Sequence, residues 1–210
     1  VLNQETIPST VRQEFLGMIH RTAEGQHLDL SWIAQNRFDV SEEEYLDMVT
    51  RKSAYYTVVS PLRLGAMCAK VQLDERLSKA GKDLGIAFQI RDDVLNLSES
   101  EGYGKEFAGD LYEAKRTLIL VHLFANATSL EKSELIERLA KPRQDKTPDD
   151  IDYILEKIKQ YGSLNYAQCV AEERAKSGLS LIKEIAKTLP NQSLTEELTG
   201  LLESLSQRRK

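Results

Sequence analysis

Residues Leu84 to Leu97 read LGIAFQIRDDVLNL. Setting aside Gln89, Asp92, Asp93 and Asn96 leaves a segment that is apolar except for Arg91. Those four residues stand at i, i+3, i+4 and i+7, the spacing of one stripe along an α-helix. The pattern predicts a helix buried on most sides, with a narrow polar line carrying two adjacent carboxylates. Buried carboxylates are costly unless paired or bound to a cation, and neighbouring like charges raise that cost. A hard divalent cation such as Mg²⁺ answers both problems, and Mg²⁺ held by one or two carboxylates usually binds substrate phosphates as well. The stripe therefore points to a metal–phosphate site inside a helical protein. The competing reading is a solvated acidic patch at a helix end, but the flanking residues are too apolar for an exposed face.

The remaining chain is consistent with that helix lying at the centre of one all-α domain. A length of 210 residues is enough for a sizeable core. Periodicity is helical throughout, with no sustained alternation and no Asn-Gly or Asp-Gly hairpin signal. A first helix is expected from Ser9 to about Ala23, with Gly25 as its stop. Ser41-Glu42-Glu43-Glu44 is a capping box that opens a helix from Glu42 to about Val58, and Pro61 marks a helix start or a kink. Asp74 is the expected N-cap of the striped helix, which runs to about Leu97. Ser98 to Gly109 reads as loop. Asp110 is expected to cap a helix reaching Asn126, and Thr128 or Ser129 to start another. Thr147-Pro148-Asp149-Asp150 reads as a helix start, with acids favourably placed in its first turn. Tyr161-Gly162 is a break, and further helices are expected to about Thr188 and from Gln192 onward.

Composition narrows function. A net charge of −5 argues against a nucleic-acid binder. No apolar run approaches the ~18 residues of a membrane span, and no signal-peptide pattern is present. Cys68 and Cys169, in no CxxC pattern, read as small core residues of a reducing, cytoplasmic protein. His20, His27 and His122 are scattered and match no zinc spacing. There is no nucleophile elbow and no P-loop.

A phosphate ligand needs cations besides a metal. Lys105 stands in a Gly-rich loop where backbone approaches a ligand closely, and Lys115 is expected about one turn into the following helix. Lys52 is the third candidate, on an otherwise apolar helix with Tyr45, Leu46, Met48 and Val49.

The segments GIAFQIRDDVLNL, GYGKEFAGDLYEAKRTL, GQHLDLSW and YLDMVTRKSAYY together resemble the trans-isoprenyl diphosphate synthases, or polyprenyl synthetases, and most of all their geranylgeranyl diphosphate type. The resemblance implies an isoprenoid synthase-type helical bundle around a central cavity. It implies Mg²⁺ as cofactor, with Asp92 a direct ligand, Asp93 beside it and Asn96 in support. It assigns Lys52, Lys105 and Lys115 to the allylic diphosphate, Ser53 and Gln89 to the carbocation region, and Gln26 and Asp29 to the rim of the site. The implied substrates are isopentenyl diphosphate and an allylic prenyl diphosphate, condensed to a short, C20 product by a homodimer. Lys52, Gln89, Asp92 and Asp93 would carry the catalysis.

Two departures stand out. Asn96 replaces an aspartate of the second acidic motif, so that position adds a hydrogen bond without charge. The family's first aspartate-rich motif is absent, and the Asp149-Asp150 pair has the wrong spacing and position to replace it. On this reading residues 1–210 are the C-terminal two-thirds of a single polyprenyl synthetase domain, inactive without the remainder. The alternatives are a non-catalytic subunit of a heteromeric synthase and a class I terpene cyclase.

Overall fold

The computed structural model describes residues 7–72, 74–98, 106–188 and 191–206. All regular structure among them is helical. The α-helices are α1 (Ser9–Ala34), α2 (Glu42–Val49), α3 (Ser60–Cys68), α4 (Glu75–Asn96), α5 (Gly109–Tyr112), α6 (Leu118–Asn126), α7 (Ser129–Leu139), α8 (Pro148–Gln160), α9 (Ser163–Ala186) and α10 (Gln192–Ser206). A π-helical segment, Thr50–Val59, continues α2 directly into α3. The chain divides into two compact units, one of residues 1–26, 48–89 and 172–208, the other of 27–47, 90–171 and 209–210.

The first unit is built on the apolar side of α4. Ala80 and Leu84 pack with Val58, Ile182 and Leu202, all buried, and Leu62, Leu77, Leu179, Leu181 and Leu198 surround them. Asp83 is buried beside this core, where Arg174 donates to one carboxylate oxygen at 2.9 Å and Ser177 to the other at 2.9 Å. A buried carboxylate so satisfied fixes the register of α9 against α4.

Gly25 does not end α1, contrary to expectation. The helix runs through it to Ala34, because the glycine is where α1 meets the π-helical segment: a Cβ there would stand 2.3 Å from the Lys52 backbone nitrogen. Gly85 does the same from α4, where a Cβ would lie 2.4 Å from the Ala54 Cα. The π-helical turn carrying Lys52, Ser53 and Ala54 is thus pressed by backbone on two sides. Local propensity, which marks glycine as a stop, loses to this close packing.

In the second unit α6 is buried almost all round, through Leu118, Ile119, Leu120, Val121, Leu123 and Phe124. Leu135 and Leu139 of α7 and Ile151, Ile154 and Ile158 of α8 supply further core. Helices start at Thr128 and Thr147 as expected, and each threonine forms a complete capping box, with Glu131 and Asp150 respectively. Asp150 is buried and takes two hydrogen bonds from Lys141, at 2.7 and 2.8 Å.

Asp110 does not cap a helix to Asn126. Two short helices stand in place of one: α5 ends at Tyr112, and α6 starts at Leu118 with Thr117 as its N-cap. Ala108 and Ala114, bracketing α5, are left-handed at φ 57° and 53°. A non-glycine residue held there is strained. Lys115 therefore lies in the turn between α5 and α6, not inside a helix.

The cysteines are also corrected. Cys68 and Cys169 are free thiols at exposed positions, on outward faces of α3 and α9. No helix among the described residues is long and apolar enough to cross a membrane.

Candidate active site

The striped helix is present as predicted. In α4, Ile86, Ala87, Ile90 and Val94 are buried, and so are Asp93 and Asn96, while Gln89 and Asp92 are half-buried. An exposed acidic patch would not bury Asp93 to 7 % exposure.

In the second unit the end of the stripe is held by two side chains. Tyr45 of α2, 1 % exposed, donates its phenol proton to Asp93 Oδ2 at 3.0 Å. Burial, then the Asp93 charge, push the phenol well above the ordinary tyrosine range, so it stays a neutral donor. Asn96 turns its amide to the chain that follows: its Oδ1 accepts from the Asp110 backbone N–H at 3.0 Å, and its Nδ2 points to the Glu106 carbonyl at 3.5 Å. An aspartate could accept but not donate, so the Asn in this motif anchors the turn leading into α5.

The Lys115 ammonium is 2.6 Å from Asp110 and 3.1 Å from Glu113. Burial works against its charge, but the Asp110 and Glu113 partners outweigh it and hold the group above the ordinary lysine range. Beside it Arg116 is 3 % exposed. Its guanidinium donates to the carbonyls of Arg37 at 2.7 Å, Trp32 at 3.0 Å and Ala114, and lies 3.9 Å over the Phe38 ring. Burial lowers its pKa to about 10, and the nearby Asp29 carboxylate, itself buried, works in the opposite direction.

In the first unit Ser53, 1 % exposed, donates to the Gln89 side-chain oxygen at 2.6 Å. Lys52 precedes it on the π-helical turn, and Arg51 bonds Glu24 of α1 at 3.2 Å. Gln26 is exposed on α1, one residue beyond the Gly25 contact. Lys105 lies outside the described residues.

Sequence reasoning passed over Tyr45 and Arg116. Tyr45 reads as one more apolar position of its helix. The one available signal is that a buried phenol usually finds a partner. Arg116 reads as the neighbour of a lysine, and nothing in the sequence says that its partners are backbone carbonyls.

Among the described residues no three His, Cys, Asp or Glu side chains converge as a complete metal site. The adjacent Asp92 and Asp93 do fit Mg²⁺, which takes one or two carboxylates and leaves its other positions to water and phosphate. A cavity of about 800 Å³ in the second unit is lined by Phe38, Val40, Val121, Phe124, Ile136 and Tyr166, among others, and by none of the predicted site residues. His122 serves as structure at its edge, stacked on Tyr166 at 4.1 Å and hydrogen-bonded to Ser163 at 3.0 Å.

The described residues are thus all-α, and α4 carries adjacent aspartates, Asp93 buried and Asp92 half-buried, ahead of a turn bearing Lys115. The family follows from comparison. The polyprenyl synthetase model matches residues 4–158, and the chain belongs to that family. It is 32 % identical over 199 residues to the geranylgeranyl diphosphate synthase of Saccharolobus solfataricus, covering 93 % of this chain and 58 % of that protein. Against the geranylgeranyl diphosphate synthase of Sulfolobus acidocaldarius it is 34 % identical over 167 residues, covering 78 % and 49 %. The chain thus spans about half the length of these relatives. The crystal structure of the geranylgeranyl pyrophosphate synthetase of Pyrococcus horikoshii superposes with a TM-score of 0.81 at 26 % identity, over 99 % of this chain and 62 % of that one. The geranylgeranyl pyrophosphate synthase of Corynebacterium glutamicum, solved with isoprenyl diphosphate and magnesium, gives 0.81 at 28 %, over 96 % and 56 %.

Proposed function

We propose that the protein carrying this chain is a Mg²⁺-dependent prenyltransferase that condenses an allylic diphosphate with isopentenyl diphosphate to a C20 prenyl diphosphate. The observation that carries the reading is the Asp92–Asp93 stripe of α4, half-buried at Asp92 and buried at Asp93, on a chain similar to geranylgeranyl diphosphate synthases.

In the reaction the allylic C1–O bond breaks and diphosphate leaves with the bonding electrons. The isopentenyl double bond attacks C1, a carbon–carbon bond forms, and a proton passes from the adjacent carbon to the released diphosphate. Mg²⁺, when bound, would neutralise the charge that develops on the departing diphosphate. Asp92 and Asp93 are the residues that would hold it. Lys115, kept charged by Asp110 and Glu113, supplies a further cation to the diphosphate, as Lys52 does from the π-helical turn. The Ser53–Gln89 pair presents oriented dipoles in an apolar setting, which favours positive charge at the allylic carbons without supplying a nucleophile. Lys105, Gln26 and Asp29 are proposed in the supporting roles that the family resemblance gives them.

The proposed assembly is a homodimer in the cytoplasm. Leu16, Ile19 and Leu30 of α1 are 49 %, 46 % and 55 % exposed. They fall within roughly 60° of one another around the helix, a face suited to a second copy.

The test is to incubate the full-length protein with Mg²⁺, isopentenyl diphosphate and an allylic diphosphate, and to identify products by mass spectrometry. A C20 diphosphate formed only when isopentenyl diphosphate is present supports the reading. A product made from the allylic substrate alone would point to a cyclase, and no product to a non-catalytic subunit.

A further inference from the structure

We infer that Tyr45 is a positioning residue for Asp93, setting the carboxylate that the metal reading above requires. The inference rests on that reading. Its geometric basis is one hydroxyl of α2 set against α4 within the same unit. The phenol proton goes to Asp93 Oδ2 at 3.0 Å. Tyr45 is 1 % exposed and Asp93 7 %, so the bond is made away from bulk water.

A hydroxyl rotor is ordinarily free to turn, but a carboxylate beside it in a buried setting gives the proton one strongly favoured direction, toward the stripe. The Tyr45 ring is fixed by its burial, so the Asp93 side chain is tied to α2. The hydrogen bond also draws charge from Asp93, easing its repulsion of Asp92 next to it. A tyrosine that only filled core space would need no carboxylate at its hydroxyl.

The experiment is a Mn²⁺ titration of the full-length protein, read by the electron paramagnetic resonance of the free ion, with melting temperatures taken alongside. Tyr45→Phe keeps the ring and removes only the donor. It is expected to raise the Mn²⁺ dissociation constant about tenfold or more, the usual effect of removing a hydrogen-bond partner of a metal ligand. In an Asp93→Asn background the same change is expected to add nothing. Mn²⁺ binding unchanged by Tyr45→Phe, whatever the melting temperature does, overturns the inference. So does an equal loss in the Asp93→Asn background. If Asp93→Asn alone leaves binding unchanged, the metal role of Asp93 fails, and this inference with it. A measurement on the unmodified protein covers the case of a variant that does not fold. A ¹³Cζ label at Tyr45 is expected to shift when Mg²⁺ is added, and a resonance that does not move contradicts the role.

Discussion

The Ser53 hydroxyl donates to the Gln89 side-chain oxygen at 2.6 Å, joining the π-helical segment to α4 within one unit. A bond between two uncharged side chains adds only about 1 kcal/mol to stability. Its proposed value is in orienting the glutamine dipole. Ser53→Ala is expected to lower kcat about tenfold or more in the full-length protein while moving the melting temperature by only a few degrees. Steady-state kinetics beside a thermal melt decide this. Equal kcat with a lowered melting temperature would leave the pair a purely structural one.

Gly25 and Gly85 press on the π-helical turn from α1 and α4, and an added Cβ at either meets backbone at 2.3 and 2.4 Å. Backbone cannot swing aside as a side chain can. Gly25→Ala and Gly85→Ala are each expected to destabilise by about 1–3 kcal/mol or more. Gly65 is the control: it lies in a helix with nothing within 4 Å of its added Cβ. Gly65→Ala should stabilise by roughly 0.5–1 kcal/mol. Denaturant melts of the three variants test the contrast, and equal behaviour would refute the close-packing account.

Arg116 shows charge serving architecture. Its guanidinium donates to the carbonyls of Trp32, Arg37 and Ala114 from a position 3 % exposed. A lysine keeps the charge but cannot reproduce the planar fork. Arg116→Lys is expected to cost about 2–3 kcal/mol, through buried carbonyls that lose their donor. It should also raise the KM for the allylic diphosphate, since Lys115 stands on the same turn. Wild-type stability in Arg116→Lys would show that charge alone suffices.

Asp150 makes the pH dependence specific. Its Lys141 hydrogen bond, with the Thr147 N–H and hydroxyl, lowers the carboxyl to about 2. A carboxylate depressed in the folded state contributes stability above its unfolded pKa and loses it as pH falls toward the folded value. Stability from this group is therefore full above about pH 4 and disappears between about pH 4 and 2. Asp150→Asn should flatten that part of the acid unfolding profile, at a constant cost at neutral pH. An unchanged acid limb would contradict the assignment.

Features carried by local chemistry were legible in the sequence. The α4 stripe follows from a period of 3.6, and the start of α2 follows from the Ser41–Glu44 capping box, whose two reciprocal bonds the structure makes. Features decided by a distant partner were not. Gly25 has the look of a stop until Lys52 lies against it. The π-helical turn has no sequence signature of its own and is observed where two glycines admit backbone. The break between α5 and α6 depends on left-handed alanines at 108 and 114, a conformation that their side chains disfavour and that no local rule predicts. Of the candidate site, the acidic stripe was readable as a pattern and Lys115 as a candidate cation. Their settings were not: Tyr45 on Asp93, Asn96 on the Asp110 turn, and Asp110 and Glu113 on Lys115.

The central claim is that the α4 stripe handles a metal-bound diphosphate, and Asp92→Asn in the full-length protein tests it most directly. The substitution keeps size and removes one charge from the stripe. The account predicts a fall in kcat of roughly 10²–10³-fold, the scale expected when one charge-stabilising group is lost, together with a higher Mg²⁺ concentration for half-maximal rate. An Asp92→Asn protein that turns over within about threefold of wild type, at the same Mg²⁺ requirement, would contradict it.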